Sequence, residues 1–541
     1  MTDLVDRTNS ASPPPGESAK LPVDWVVFGV AAAMALAFLI WGVVDPVGLG
    51  EITGDSMTWL TESFGWLFVL TSCAFVLFAV YLATTRYGNI KLGPDDSVPE
   101  FSTFSWVSMM FATGMGIGLM FYGVAEPLSH LNAPPLGIGE PGTPETAVRA
   151  MEYTFFHWGI HPWSMYAVVG LSIGYFAYRK GHGNLISGAF RPLLGERASQ
   201  GPGKAIDVVA IFATLFGSAT SLGLGALQIT GGIDNVFGSG AGSKALAVVV
   251  VAVLTGCFVL SAVSGVDKGI KWLSNANAAA AALLAFFLFV VGPTVFILGT
   301  FTESLGGYLT QLPAMSFRTG VFDNAEAAPW LNGWTIFYWA WWVSWTPFVG
   351  MFIARISKGR TIRQFVVYVI AVPSLVSFIW FSILGGSAFE LQLQEGWQPP
   401  QTETGGIALE ASLFDTLREF PLGAVTVALA VFLIAIFFIT GADSASIVMG
   451  MLSQHGDELP RRGLTIFWGT ATGAVAALLL WQDGLTSLQT LVILVAGPFM
   501  LILIAMCVSL LKALRQERFD STLYPRVRLA VEHAERYPDG P

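Results

Sequence analysis

Charged residues are scarce in this chain. Asp, Glu, Lys and Arg make up 12% of its 541 residues, while 54% are hydrophobic. Soluble proteins carry about a quarter charged residues, so this composition excludes a disordered, coiled-coil or nucleic-acid-binding protein and argues against a water-soluble enzyme. The net charge of -10 offers no general positive field to a nucleic acid. The sequence therefore predicts an integral membrane protein without a nucleic-acid partner.

Cysteine and histidine are also few. The three cysteines, Cys73, Cys257 and Cys507, each lie within an apolar run and match neither a zinc spacing nor a disulfide framework. We expect them to be small buried hydrophobic residues. The six histidines show no HExxH-type spacing. The sequence therefore predicts no catalytic residues, no enzyme activity and no cofactor other than a coupling ion.

Long apolar runs recur along almost the whole chain. A bilayer core about 30 Å thick needs roughly 20 apolar residues per helix, and twelve runs of this kind predict an all-α membrane protein with twelve transmembrane helices. Their cores are 25–44, 64–85, 103–125, 147–177, 206–232, 244–264, 274–299, 332–354, 365–389, 422–452, 463–481 and 486–511.

Basic residues are distributed unevenly between the two sides of these spans. With the amino terminus inside, all but four of the 27 Lys and Arg residues fall on the inner side. The four exceptions are Arg149, Lys244, Arg318 and Arg418. This bias predicts that both termini are cytoplasmic. Residues 305–330 mix apolar and polar side chains and are predicted to form a periplasmic interfacial amphipathic segment, or equally a partner-binding helix.

Two pairs of spans share unusual features. Span three contains Gly114, Gly116 and Gly118, which favour an opened helix, although close packing of helices would explain the glycines as well. In span eight, Pro347 removes a donor and should disturb the preceding turn. Spans five and ten both place hydroxyl groups at i and i+4, beginning at Thr214 and at Thr440 respectively.

These paired features recur at similar separations along the chain, which points to a duplicated five-helix unit. A unit with an odd number of spans enters the membrane from the opposite side in its second copy, so the repeat is inverted. The predicted divisions are a cytoplasmic tail at 1–22, two additional helices at 23–101, a first repeat at 102–304, the interfacial segment at 305–330, a second repeat at 331–511 and a cytoplasmic tail at 512–541.

Tryptophan and tyrosine cluster in spans four and eight. Both spans could carry these rings simply because aromatic residues gather at membrane interfaces. The sharper hypothesis is that the clusters face each other and bind a methylated ammonium group, which offers no hydrogen-bond donor but is attracted by ring faces. Freed backbone N–H groups at residues 114–118 could then accept a carboxylate. The absence of Lys, Arg, Asp and Glu from that stretch suits a zwitterion.

Hydroxyl and ionisable groups within the spans raise further possibilities. Thr214, Ser218 and Thr440 could supply oxygen ligands to sodium, or could bond only to the carbonyl groups one turn earlier in their own helices. For Asp443, structural hydrogen bonding near the end of span ten is favoured over proton transfer. Glu126, His157 and His161 are the other ionisable candidates within or near the spans.

Two stretches carry a resemblance to a known family. Residues 111–127, FATGMGIGLMFYGVAEP, resemble the third-helix signature of the betaine/carnitine/choline transporters. Residues 334–360, which include the run WAWWVSWTPF, are similar to the eighth-helix motif of the same family. The resemblance implies a LeuT-like core of five plus five inverted helices, preceded by two extra helices, in a homotrimer of the bacterial cytoplasmic (inner) membrane surrounded by lipid.

The resemblance also implies roles for individual residues. The trimethylammonium box would consist of Trp158, Trp163, Tyr166 and Trp342, with Trp341 and Trp345 along the binding and exit path. Gly114, Gly116 and Gly118 would face the carboxylate. In sodium-coupled members, one ion would bind the Ala112 and Met115 carbonyls together with Phe437 and the Thr440 hydroxyl, and a second ion would bind at Thr214, Ser218 and Phe348.

Gly441 departs from the family pattern, because a serine usually follows the threonine that corresponds to Thr440. A side-chain ligand is therefore missing from the first ion site. Gly118 argues against choline, since choline-type members often carry aspartate there. We expect a secondary active transporter that imports a zwitterionic osmolyte, foremost glycine betaine, by sodium-coupled alternating access for osmoprotection. The alternative is a proton-coupled or sodium-independent carrier or exchanger of this family for choline, carnitine, ectoine or dimethylsulfoniopropionate.

Overall fold

The computed structural model describes residues 21–114, 116–237, 244–264 and 267–517. These residues form helices and no β-sheet, apart from the isolated bridges Lys91–Thr361 and Gln401–Ile407. The α-helices are α1 Trp25–Val44, α2 Pro46–Thr84, α3 Thr103–Gly114, α4 Ile117–Asn132, α5 Pro144–Trp158, α6 Ile160–Gly174, α7 Arg191–Leu194, α8 Gly201–Phe237, α9 Lys244–Ser264, α10 Asp267–Val291, α11 Thr294–Ser316, α12 Ala327–Leu331, α13 Phe337–Ile356, α14 Ile362–Gln394, α15 Leu409–Arg418, α16 Gly423–Leu452, α17 Arg462–Asp483 and α18 Leu485–Arg515.

Within the described ranges, eight helices are long and apolar enough to cross a membrane: α1, α2, α8, α9, α14, α16, α17 and α18. The count is nine if the bent pair of α10 and α11 is taken as one span. The predicted spans outside this count are three, four and eight, which contain the glycine and tryptophan motifs. The all-helical membrane protein is thus confirmed for the described residues, while the twelve spans and the inverted repeat stay predictions.

Span three is interrupted at its glycine motif. Helix α3 ends at Gly114 and α4 begins at Ile117. Gly116, which precedes α4, is fully extended with φ -168° and ψ -173°. The opened helix that the glycines predicted is therefore present. The first N–H groups of an α-helix have no partner within that helix. At the start of α4 these groups lie inside the bundle, because Ile117 and Gly118 are buried.

Span four is also interrupted, which the sequence analysis did not predict. Helix α5 ends at Trp158 and α6 begins at Ile160, with Gly159 between them at φ -101° and ψ -125°. A Cβ atom on Gly159 would lie 2.6 Å from the Phe155 carbonyl oxygen and 2.7 Å from the ring of Phe378. Glycine is thus required here by close approach, and the break allows Trp158 to project from the end of one helix.

Span eight differs from its prediction because Pro347 does not interrupt it. Helix α13 runs continuously from Phe337 to Ile356 and follows a π-helical turn at Asn332–Ile336. Proline lacks an N–H group, so the Val343 carbonyl loses its usual helical donor. The hydroxyl of Thr346 donates to that carbonyl at 2.7 Å. This local replacement explains why the helix tolerates the proline.

Helices α6 and α13 approach each other closely at a pair of glycines. A Cβ atom on Gly170 would lie 3.1 Å from the Gly350 carbonyl oxygen, and one on Gly350 would lie 2.7 Å from the Val169 side chain. Small residues that allow backbones to meet are a common basis of helix association in membranes. The contact lies two helical turns after Trp163 on α6 and two turns after Trp342 on α13.

The predicted seventh span, 274–299, crosses a sharp bend. Helix α10 ends at Val291, and α11 begins at Thr294 and leaves at an angle of 109°. Gly292 and Pro293 lie at the bend. Both residues disfavour a continuing helix, but neither removes enough hydrophobicity to end an apolar run. Hydropathy alone therefore could not locate the end of α10.

The prediction that all three cysteines are buried is wrong for two of them. Cys73 is buried, whereas Cys257 is exposed on α9 and Cys507 is partly exposed on α18. Their apolar neighbours do not imply burial inside the protein, because a helix that faces lipid is as apolar as one that faces the core.

The end of α18 is tied to the end of span four by an ionic cluster. Glu517 accepts hydrogen bonds from Tyr175 Oη at 2.6 Å and Arg179 Nη2 at 2.9 Å, and its carboxylate lies 2.6 Å from Lys180 Nζ. Burial would raise the pKa of Glu517, but these donors and the nearby cations outweigh it and lower the pKa from 4.5 to about 2. The cluster therefore stabilises the charged carboxylate.

We predict that Glu517→Gln lowers the thermal unfolding temperature of the detergent-purified protein by about 2 °C at pH 7. A lowered pKa contributes stability that is complete above the unfolded value of 4.5 and is lost as the pH falls towards 2. The difference from wild type should therefore shrink between pH 5 and pH 3. Glu403→Gln, at an exposed glutamate, is the control. An equal difference at both pH values would contradict this role.

We also predict that Thr346→Val destabilises the protein by about 1 kcal/mol, because the Val343 carbonyl loses its donor. Thr346→Ser keeps a hydroxyl and should retain wild-type stability. Thermal unfolding of the two variants in detergent measures the difference. Equal stability of the valine and serine variants would show that the hydroxyl does not support the proline turn.

Candidate functional site

The predicted aromatic box forms one continuous chain of ring contacts. Its four side chains are Trp158, Trp163, Tyr166 and Trp342. The rings of Trp158 and Trp342 lie 4.8 Å apart at 73°. Trp342 lies 6.3 Å from Tyr166, and Tyr166 lies 5.3 Å from Trp163. All four side chains are buried. The structure thus brings together rings from α5, α6 and α13, and these residues are not an aromatic belt at the bilayer surface.

Trp341 and Trp345 continue this wall along α13. Trp341 stacks on Trp342 with centroids 4.9 Å apart at 13°, and Trp345 follows at 6.1 Å from Trp341. The indole N–H of Trp345 donates to the Gly217 carbonyl at 2.9 Å. The indole N–H of Trp341 is buried and has no hydrogen-bond acceptor among the described residues. Trp341 therefore offers an unused donor beside the box.

Three further rings contact the box and were missed by the sequence analysis. Tyr338 stacks on Trp342 at 5.7 Å and 16°, Phe381 of α14 lies 5.2 Å from Trp158, and Tyr122 of α4 lies 6.1 Å from Trp158. Tyr338 precedes Trp342 by one helical turn, so its position could have been inferred from the spacing. No local pattern marks Phe381, because its contact depends on the packing of α14.

Gly118 lies directly beside the ring of Trp158 in the box. A Cβ atom at this position would lie 2.8 Å from Trp158 Cη2 and 3.1 Å from Trp341 Cη2. Gly118 lies in the first turn of α4, one residue after Ile117. The amino-terminal end of α4 therefore directly adjoins the aromatic rings. An aspartate at position 118 would require Trp158 or Trp341 to move.

Glu126 connects the box to the neighbouring helices. Its carboxylate accepts hydrogen bonds from Trp158 Nε1 at 2.7 Å and from the hydroxyl of Tyr338. The other carboxylate oxygen lies 2.7 Å from His157 Nδ1. His157 Nε2 is in turn 2.9 Å from Thr335 Oγ1. Glu126, His157 and Thr335 are all buried, so the network lies within the bundle.

The side chains around Glu126 could in principle also bind a metal ion. Glu126, His130 and His157 each place one potential ligand atom within 4.8 Å of the others. His130 Nε2 lies 3.3 Å from the Glu126 carboxylate. However, both ring nitrogens of His157 already have hydrogen-bond partners, and its Nδ1 is at hydrogen-bonding rather than ligand-to-ligand distance from the carboxylate. The geometry therefore favours a hydrogen-bond network over a metal centre.

The first predicted sodium set is described only in part. Met115 lies outside the described residues, and Ala112 lies in α3. The Thr440 hydroxyl is 2.9 Å from the Ile436 carbonyl and 3.4 Å from the Phe437 carbonyl of its own helix. This bonding uses the hydroxyl hydrogen and leaves oxygen lone pairs for a cation. The set stays a prediction.

The second predicted sodium set lies on two segments that pack together. Helix α8 meets α13 at Gly217, where a Cβ atom would lie 2.4 Å from Ser344 Oγ. The Trp345 ring, which donates to Gly217, lies 5.7 Å from the Phe348 ring. Thr214 and Ser218 flank this contact and are buried, and Thr214 donates to its own helix at 2.9 Å. Sodium binding by this set stays a prediction too.

Known proteins resemble this chain over nearly its whole length. The model of the betaine/carnitine/choline family transporters matches residues 26–519. The chain is 45% identical over 518 residues to the glycine betaine transporter OpuD of Bacillus subtilis, which covers 94% of this chain and 98% of that one. It is 41% identical over 500 residues to the betaine/ectoine transporter LcoP of Corynebacterium glutamicum, covering 92% and 78%. It is 40% identical over 499 residues to glycine betaine transporter 1 of Vibrio parahaemolyticus, covering 91% and 94%.

Proposed function

Because the chain belongs to the betaine/carnitine/choline transporter family, and is therefore a multi-pass membrane transporter rather than an enzyme, we propose that it imports a zwitterionic quaternary ammonium compound. Glycine betaine is the first candidate. The observation that carries this proposal is the buried contact among Trp158, Trp342 and Tyr166 beside the amino-terminal end of α4. Two relatives named as glycine betaine transporters, from Bacillus subtilis and Vibrio parahaemolyticus, support the same substrate.

The rings suit the ammonium end of such a substrate. A trimethylammonium group has no N–H donor, so it is recognised by the electron-rich faces of aromatic rings, at about 0.5–2 kcal/mol per contact. Several ring faces together would supply most of the attraction for this group, with no formally negative side chain in contact with it. Aromatic rings favour quaternary over primary ammonium groups, because a primary group would lose hydrogen bonds to water that the rings cannot replace.

The break in span three suits the carboxylate end. Free N–H groups and the helix dipole make a helix amino terminus favourable for an anion. Gly116 and Gly118 lie at this terminus, and Gly118 adjoins the rings of Trp158 and Trp341. Trp341, whose Cη2 atom adjoins Gly118, has an indole N–H with no acceptor among the described residues and is a further candidate donor. Since helices α3 and α4 contain no Lys or Arg, the carboxylate would be held without a basic side chain.

Sodium is the proposed coupling ion, with the two predicted sets as its ligands. Coupling by alternating access requires that sodium binds more tightly to the state that binds substrate, because a ligand shifts an equilibrium only through differential affinity. The remaining parts of the proposal are the twelve-span inverted repeat, two cytoplasmic termini, a homotrimer in the inner membrane and a role in osmoprotection.

A second candidate keeps the fold and changes the coupling. Gly441 leaves the first sodium set one side-chain ligand short, with the Thr440 hydroxyl remaining, so the transporter could be proton-coupled or sodium-independent, with choline, carnitine, ectoine or dimethylsulfoniopropionate as substrate. Uptake of radiolabelled substrates into proteoliposomes separates the two candidates. We expect glycine betaine accumulation to require sodium. Accumulation that persists when potassium replaces sodium, and follows a proton gradient or internal substrate, would exclude sodium coupling.

We predict that Trp342→Leu weakens glycine betaine binding by at least about tenfold, because ring-to-cation attraction is lost. Equilibrium binding to purified protein measures this change, with thermal unfolding as a check on folding. Trp481→Leu is the matched control, since Trp481 is 60% exposed and should not affect binding. Unchanged affinity of the Trp342 variant would show that this ring only packs.

We further predict that Gly441→Ser lowers the sodium concentration for half-maximal uptake several-fold. A Cβ atom at Gly441 meets no heavy atom within 4 Å, so the serine side chain fits, and its hydroxyl restores an oxygen ligand next to Thr440. Gly441→Ala is the control because it adds volume without an oxygen. An identical sodium dependence of the serine and alanine variants would argue against an ion site at this position.

A further inference from the structure

We infer that Glu126 is a positioning residue for the aromatic box, which it orients through hydrogen bonds without contacting the substrate. The inference rests on the proposed function, because it assigns a role within the same site. Glu126 lies on α4, three turns of helix after the glycine break. Its carboxylate is fully buried and reaches α5 and α13 at once.

One carboxylate oxygen of Glu126 accepts hydrogen bonds from two aromatic side chains. Trp158 Nε1 donates to Glu126 Oε2 at 2.7 Å, and Tyr338 Oη donates to the same oxygen. The Trp158 ring is one wall of the box, and Tyr338 stacks on the adjoining wall, Trp342. A single oxygen therefore sets both the rotation of one indole and the position of the ring that supports the other.

The second oxygen reaches the box through His157. Glu126 Oε1 lies 2.7 Å from His157 Nδ1, and the backbone carbonyl of His157 accepts the indole N–H of Trp342 at 2.9 Å. His157 also immediately precedes Trp158, at the end of α5. Two of the three tryptophans of the box are thus linked to one carboxylate, Trp158 directly and Trp342 through the backbone of His157.

The position of the oxygens, rather than their charge, is what this arrangement requires. Glutamine can place its carbonyl oxygen at the Oε2 position and accept from Trp158 and Tyr338. Its amide can then donate to His157 Nδ1, provided that His157 carries its proton on Nε2 and donates to Thr335. Aspartate keeps the charge, but it is one methylene shorter, so its oxygens retreat by about 1.5 Å.

The experiment compares Glu126→Asp with Glu126→Gln in equilibrium binding of glycine betaine to purified protein. We expect the aspartate variant to bind about tenfold more weakly and the glutamine variant to stay within about threefold of wild type, because a box loosened by about 1 Å loses complementarity. The reverse order would overturn the inference and assign Glu126 an electrostatic role. Wild-type affinity in both variants would equally overturn it.

Selectivity provides a readout that a purely structural role would not change. The ratio of affinities for glycine betaine and dimethylglycine reports how well the rings enclose the third methyl group. We expect this ratio to fall about threefold or more in Glu126→Asp, whereas loss of folded protein lowers the number of sites and leaves the ratio unchanged. An unchanged ratio in a weakened aspartate variant would assign the residue to folding alone and contradict the inference.

Asp207→Asn and Asp207→Glu are the matched controls. Asp207 is also a buried carboxylate, and it accepts from Ser187 N at 3.0 Å and Ser187 Oγ at 2.7 Å, away from the box. We expect these variants to change stability but not affinity or selectivity. Binding of glycine betaine to wild type is measured first: its absence would refute the proposed function, whereas wild-type binding with unaltered Glu126 variants would refute only the positioning role.

Discussion

An indole N–H that is buried without an acceptor costs free energy, and three tryptophans at the centre of the molecule avoid this cost by donating to neighbouring helices. Trp158 donates to Glu126, Trp342 to the His157 carbonyl and Trp345 to the Gly217 carbonyl. These acceptors belong to α4, α5 and α8. The rings thus join four helices by directional bonds in a region where hydrophobic packing alone, against equally apolar lipid, would specify little.

The helices of this region also show which parts of the fold can be predicted from hydropathy. Uninterrupted apolar helices such as α1, α16 and α18 follow from hydropathy alone. Spans three, four and eight are also apolar runs, but breaks at Gly116 and Gly159 divide spans three and four into helices of at most 16 residues, and tryptophans lower the hydropathy of α13. Features that allow a membrane helix to bind a polar molecule are the ones that make it look less like a membrane helix.

The site was predictable where its residues share one helix, and less so where they meet across helices. The box was inferred from two local clusters of rings, and the structure brings those clusters together. Phe381 was missed because its contact arises from the course of α14. Pro347 was expected to disturb the preceding turn; α13 nevertheless continues through it, and the adjacent Thr346 hydroxyl donates to the carbonyl that the proline leaves without a backbone donor.

The backbone contact at Gly170 and Gly350 limits how α6 and α13 can move. Two helices with touching main chains cannot slide along each other without a clash, because the neighbouring side chains interlock on either side of the contact. A rearrangement of the bundle that preserves this contact would therefore move α6 and α13 as one unit.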